Sequence, residues 1–122
     1  MFETNEQCWV ILGKKLKNFW YGRIYNETEG IPSEVKFDGD WVFNREENSG
    51  DVIGWLHTHP NFSASPSSTD HATMHSWVSC FGKPLLCGIH GIDGLKFYLY
   101  KDDESMPVRV STLKIGNYLL GF

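Results

Sequence analysis

Apolar residues along this chain fall into short runs broken by glycine, proline and polar clusters, and their period turns helical in one segment. Residues 8–12 (CWVIL) form a continuous apolar run closed by Gly13, the pattern of a strand covered on both faces. Residues 19–25 (FWYGRIY) are aromatic-rich and strand-like. Residues 26–33, with Gly30 and Pro32, read as a turn, and 34–37 as a third extended piece. The polar stretch 38–50 reads as a loop, a short helix or both. Residues 52–56 (VIGWL) form a second buried run leading straight into His57-Thr58-His59-Pro60, where proline, lacking an amide proton, ends the extended segment. After a loop at 61–66 the period shifts. Ser67 stands in N-cap position with Asp70 three residues on, and Met74, Trp77, Val78 and Phe81 recur at i, i+3, i+4 and i+7. Gly82 and Pro84 stop that helix. Residues 85–89 and 95–100 are two further strands joined by a hairpin-like connection at 90–94, and 107–122 read as a strand or a short terminal helix. Strands around one clear helix predict a mixed α/β domain spanning 1–122.

Composition narrows the partners. The chain has 122 residues, 15% of them aromatic, so a few large side chains supply much of the core. Eleven Lys and Arg against fifteen Asp and Glu give a net charge of -4, which argues against binding nucleic acid through its phosphates. The basic run Lys14-Lys15-Leu16-Lys17 reads as a solvated strand end or turn. No apolar stretch reaches the length of a membrane span, and the first residues lack a basic segment followed by an apolar one. Cys8, Cys80 and Cys87 are expected as reduced thiols in a cytoplasmic setting, small core residues.

His57 and His59 are two apart at a strand end, so both imidazoles face the same side. The following loop can bring Asp70 back over that end. Two histidines and a carboxylate, with a fourth position left to water, form the ligand set of a catalytic zinc site. Taken singly, a histidine pair reads as core or surface, and Ser67 with Asp70 reads as a helix cap. The order H-x-H-P, loop, S-x-x-D, directly after a buried strand, points to metal chemistry instead.

The run Gly54-Trp55-Leu56-His57-Thr58-His59-Pro60, followed by Ser67-Ser68-Thr69-Asp70, resembles the signature of the JAMM (MPN-plus, Mov34) metalloprotease family, particularly its AMSH-type members. The resemblance runs from about residue 6 to residue 100 and implies a JAB/MPN-like fold. It assigns His57, His59 and Asp70 to one catalytic zinc ion and Ser67 to the oxyanion. It also implies an upstream glutamate acting as general base on the attacking water and then as general acid toward the leaving amine. Glu6, directly ahead of the strand ending in Gly13, takes that role, while Glu27, Glu29, Glu34, Glu46 and Glu47 read as solvated carboxylates. The sequence departs from the family in two places. Only five residues precede Glu6 where relatives carry a helix, so the expectation is either a minimal form or a sheet side covered by a protein partner or by a further segment. Trp9 stands where many relatives carry glycine.

What the resemblance implies is a zinc-dependent isopeptidase acting on a ubiquitin-like protein or its lysine conjugate; charge and hydropathy separately lead us to expect no nucleic-acid or membrane partner. The small size suggests a bacterial, archaeal or phage enzyme. The alternatives are a peptidase acting on a sulfur-carrier conjugate or a phage-tail cell-wall peptide, or a non-catalytic MPN scaffold. His71 and His75, with Cys80, Cys87 or His90, form a weaker candidate for a second metal site. Their plainer reading is helix-surface histidines, core cysteines and a turn residue at His90.

Overall fold

The structure, a computed structural model, describes residues 7–15, 20–31, 34–35 and 39–110. Among them run β1 (Gln7–Lys15), β2 (Trp20–Ile31), β3 (Glu34–Val35), α1 (Gly39–Ser49), β4 (Val52–Thr58), α2 (Ser68–Phe81), β5 (Leu85–Gly91), β6 (Gly94–Tyr100) and β7 (Val108–Val110). The strands form one sheet in the order β3-β2-β1-β4-β5-β6-β7. Every neighbouring pair is antiparallel except β4–β5. A parallel pair cannot be closed by a hairpin and needs a crossover, which is what α2 supplies. The fold is mixed α/β, as the sequence predicts.

The two faces of the sheet collect different residues. On one face Val42 of α1 and Met74 and Val78 of α2 pack with Cys8, Val10, Val52, Trp55, Leu85, Cys87, Ile89 and Tyr100. The other face gathers Ile11, Trp20, Ile53, Leu56, Leu86, Phe97 and Val110. Strands that contribute to both clusters read as unbroken apolar runs, because neither face is wet. Burying each such side chain stabilises the fold by roughly 1.5–3 kcal/mol, so the central strands carry most of the driving force.

Several expectations shift. The stretch 26–31, predicted as a turn, continues β2, since pairing with β1 from Lys15↔Trp20 to Gln7↔Glu29 outweighs local turn propensity. The stretch 38–50 contains an eleven-residue helix, α1, closed by Gly50 at φ 64. Its Phe43 ring lies 5.1 Å from Trp77 and 5.6 Å from Phe81, so tertiary aromatic packing supports what propensity alone leaves open. The connection between β5 and β6 is shorter than predicted, and His90 is an exposed residue of β5, not of a turn. β7 settles the start of 107–122 as strand, while 111–122 lies outside the described residues, as do Leu16, Lys17 and Phe19. Lys14 and Lys15 are exposed at the end of β1, as expected. No helix among the described residues is long and apolar enough to cross a membrane.

Candidate metal centre

β4 delivers the histidines. Its approach to β5 is close at Gly54, where a Cβ would lie 2.0 Å from the Leu86 carbonyl oxygen, so the run before His57 needs glycine there. Trp55 pairs with Cys87 and His57 with Ile89 across the parallel ladder, and Cys8 of β1 stands opposite His57 on the other side. The His59 N–H donates to the His90 carbonyl at 2.9 Å, holding the chain against β5 one residue beyond the strand. His57 and His59 are 6% and 7% exposed, unusual burial for polar side chains that act as nothing more than packing.

α2 delivers the carboxylate. Ser67 is its N-cap, and the predicted capping box is complete: the Asp70 N–H donates to Ser67 Oγ at 3.1 Å, and the Ser67 N–H donates to Asp70 Oδ2 at 2.9 Å. The box fixes the carboxylate in its orientation. Asp70 Oδ1 lies 3.1 Å from His57 Nε2, and Asp70 Oδ2 lies 3.2 Å from His59 Nε2. The two Nε2 atoms are themselves 3.2 Å apart.

Those separations fit a metal. A zinc ion bonded to nitrogen and oxygen at about 2.0–2.1 Å spaces tetrahedral ligands about 3.3–3.4 Å apart. His59 Nδ1 lies 2.9 Å from the Ser63 carbonyl, which can only accept, so Nδ1 carries a proton and Nε2 is the ring atom left facing inward as a ligand. An imidazole lone pair and a carboxylate oxygen at 3.2 Å repel each other unless a cation, proton or metal, sits among them. Burial alone would raise the Asp70 carboxyl. The side-chain contacts of His57 and His59, the His57 charge and the Ser67 N–H together hold it well below the usual carboxylate range. The residues present can therefore hold a metal ion, and among the described residues no other group of three potential ligands converges in this way.

The loop that carries the Ser63 carbonyl is pinned from the β5–β6 connection and from β6. The Ile92 N–H donates to the Phe62 carbonyl at 2.9 Å, the Ala64 N–H to Asp93 Oδ1 at 2.7 Å, and the Tyr98 hydroxyl to the Ala64 carbonyl at 2.6 Å. Beside the ligands an open groove of about 380 Å³ is lined by Gln7, Thr58, His59, Pro60 and Ile92 among others.

Of the residues singled out from sequence, the structure brings together His57, His59 and Asp70, with Ser67 one turn away in contact with Asp70. Ser67 is exposed, and its oxygen accepts the Asp70 N–H while its own O–H remains available to donate. Glu6 lies outside the described residues. Its neighbour Gln7 donates its N–H to Thr58 Oγ1 at 3.0 Å, between the two histidines in sequence. The weaker second cluster does not assemble: His71 Nδ1 shares a 2.8 Å hydrogen bond with the Tyr100 hydroxyl, and His75 Nε2 meets the Ser105 carbonyl at 2.9 Å. Cys8 and Cys87 are buried thiols, whereas Cys80 is exposed on α2 and not the core residue expected, because it lies off the helix face that Met74 and Val78 bury. Burial, together with nearby Asp70 and Cys8, pushes the Cys87 thiol upward, so it stays protonated. Sequence reading missed Ser63, Gly91, Asp93, Tyr98 and Tyr100, whose contributions depend on contacts across distant parts of the chain.

Residues 3–100 match the family described as prokaryotic homologs of the JAB domain. No curated protein matches the chain. The matched span holds both halves of the metal centre, the strand-end histidines and the capped aspartate, and covers well over half of the sequence; the chain belongs to the prokaryotic JAB-domain family.

Proposed function

We propose that this protein is a zinc-dependent isopeptidase or peptidase. The observation that carries the reading is the convergence of His57 Nε2, His59 Nε2 and the Asp70 carboxylate at 3.1–3.2 Å, with His59 oriented by Ser63 and Asp70 by Ser67. Zinc is favoured by the donor set: two imidazoles and one carboxylate leave a fourth position open. When bound, the ion supplies Lewis-acid activation of a water and of the scissile carbonyl.

The chain's own groups do the rest. His57 and His59 offer nitrogen donors, the second with its Nδ1 held by Ser63 so that Nε2 faces the ligand cluster. Glu6, covalently next to the Gln7 amide that binds Thr58, takes a proton from the attacking water and passes it to the departing amine. Ser67 donates its O–H to the oxyanion while its lone pair keeps the Asp70 N–H. The groove at the ends of β1, β4 and β5 gives an extended peptide room beside the ligands. The substrate we favour is a ubiquitin-like protein joined to a lysine amine, as in the AMSH-type enzymes whose motif this sequence shares. A purely scaffolding role is disfavoured because all three ligand positions are filled by residues able to bind metal.

The test is cleavage of a panel of ubiquitin-like fusions and lysine conjugates, with metal content measured in parallel. Cleavage should vanish with chelator and return with Zn2+. Glu6→Gln should keep the metal and lose cleavage. Activity that persists in chelator would overturn the proposal.

A further inference from the structure

Tyr98 and Tyr100 are alternate residues of β6 and so point to the same face of the sheet, the one that α2 covers. Each hydroxyl reaches a different flank of the segment that carries the S-x-x-D motif. The Tyr98 hydroxyl donates to the Ala64 carbonyl at 2.6 Å, ahead of Ser67. The Tyr100 hydroxyl shares a 2.8 Å hydrogen bond with His71 Nδ1, one residue after Asp70. Tyr100 and Ala64 are both fully buried.

Apolar packing of Met74 and Val78 holds α2 on the sheet, but burial is non-directional and leaves sliding and rotation weakly specified. Hydrogen bonds weaken steeply with distance and angle, so a tie at each end specifies where the segment sits. The His57–Asp70 and His59–Asp70 separations join atoms from different elements, and the capping box fixes Asp70 only relative to its own helix. Something must set helix against strand.

We propose that Tyr98 and Tyr100 are positioning residues of the metal centre, their two hydroxyls clamping segment 64–71 so that the Asp70 carboxylate meets the histidines of β4. The inference rests on the reading that His57, His59 and Asp70 bind a divalent ion. Neither tyrosine is among the three converging ligands.

The experiment is titration of the metal-free 122-residue chain with Co2+ and with Zn2+, in wild type, Tyr98→Phe, Tyr100→Phe and the double variant. The phenyl ring preserves packing and removes only the hydroxyl. Each single variant should bind about tenfold more weakly, at the lower end of the effect of losing a supporting partner, and the double variant more weakly than either. The Co2+ d–d spectrum should change in intensity, because it reports ligand geometry. His71→Leu should reproduce the loss seen in Tyr100→Phe, and combining the two should add nothing, since both remove one bond. Should Tyr100→Phe fail to fold, Tyr98→Phe and His71→Leu carry the same test. Variants that melt earlier yet keep wild-type affinity and the wild-type Co2+ spectrum would show a merely structural role and overturn the proposal. A wild-type chain that binds neither ion would overturn the metal-site reading itself, and this inference with it.

Discussion

Replacing Gly91 with alanine adds one methyl group at a position that touches no ligand, yet it should weaken metal binding. A Cβ there would lie 2.4 Å from Ala64 N, 2.6 Å from the Ser63 carbonyl carbon and 2.7 Å from the Phe62 oxygen. All three are backbone atoms, so no side chain can rotate away. Comfortable carbon contacts lie at about 3.5–4.0 Å, so loop or strand must retreat by about 1 Å. The Ser63 carbonyl is the group that fixes the His59 tautomer, at 2.9 Å from Nδ1. Lengthened by about 0.7 Å, that contact ceases to be a hydrogen bond. Losing such a partner lowers metal affinity by about 10–100-fold, or about 1.4–2.8 kcal/mol.

Strain complicates the reading, because overpacking of this kind destabilises a fold by about 1–3 kcal/mol. Gly94→Ala is the control. At φ 108 with nothing within 4 Å of its Cβ, that substitution strains the backbone of the same hairpin without pressing on the loop. The assay is Co2+ titration of both variants well below their melting temperatures, with circular dichroism confirming that each is folded. The expected pattern is comparable loss of stability in both and loss of metal affinity in Gly91→Ala alone. A folded Gly91→Ala chain that binds within twofold of wild type would refute the chain of reasoning from Gly91 through Ser63 to His59. So would an equal loss of affinity in Gly94→Ala.

Saturating Zn2+ should raise the thermal stability of wild type, by about 2.7 kcal/mol at a hundred times Kd, and His59→Ala should abolish the shift seen in differential scanning fluorimetry. Ser67→Ala should cost about 1 kcal/mol through loss of the cap, measured by urea unfolding. Ser67→Asp keeps a capping acceptor but has no hydroxyl to donate, so it should retain that stability and still lose peptide cleavage. Away from the site, Glu46 Oε1 accepts the N–H of buried Val52 at 3.2 Å and Lys83 Nζ at 2.9 Å. Glu46→Ala strands that amide and should destabilise by about 1–3 kcal/mol in urea unfolding. Lys83→Ala removes a partly exposed ion pair and a 3.3 Å hydrogen bond to the Gly50 carbonyl, which water can replace, and should stay within about 1 kcal/mol, so equal effects would count against the ranking.

What could be read in the sequence follows from how local each signal is. Residues 8–12 and 52–56 announce buried strands because both faces of β1 and β4 are covered, which leaves an unbroken apolar run in the primary structure. Ser67 and Asp70 could be paired from spacing alone, since a capping box closes within one helical turn. The same locality made His57 and His59 legible. β2 beyond residue 25 was not, because its partner is β1 and its own residues favour a turn. α1 stayed open for the same reason, as its support comes from Trp77 and Phe81 of another helix. The supports of the metal centre join positions far apart: Ala64 with Asp93, Ala64 with Tyr98, His71 with Tyr100. No spacing rule encodes such pairs. Glu6, assigned from the strand it precedes, lies outside the described residues.

One carboxylate serves two structures here, the helix cap and the cluster with His57 and His59 that could hold a metal ion. Asp70 Oδ2 accepts the Ser67 N–H and also faces His59, while Oδ1 faces His57. At the third position of α2 the charge lies where the positive end of the helix dipole stabilises it. The cap therefore selects the ionised, correctly turned rotamer during folding, whether or not an ion is present. Ordering a free side chain on binding costs about 0.5–1.5 kcal/mol, and here that cost falls on folding instead. The same holds for His59, whose ring is held through Nδ1 by Ser63. A centre organised in this way should bind with little rearrangement. Its weak points are then the tethers that set α2 and the 62–64 loop against the sheet, and not the ligands themselves.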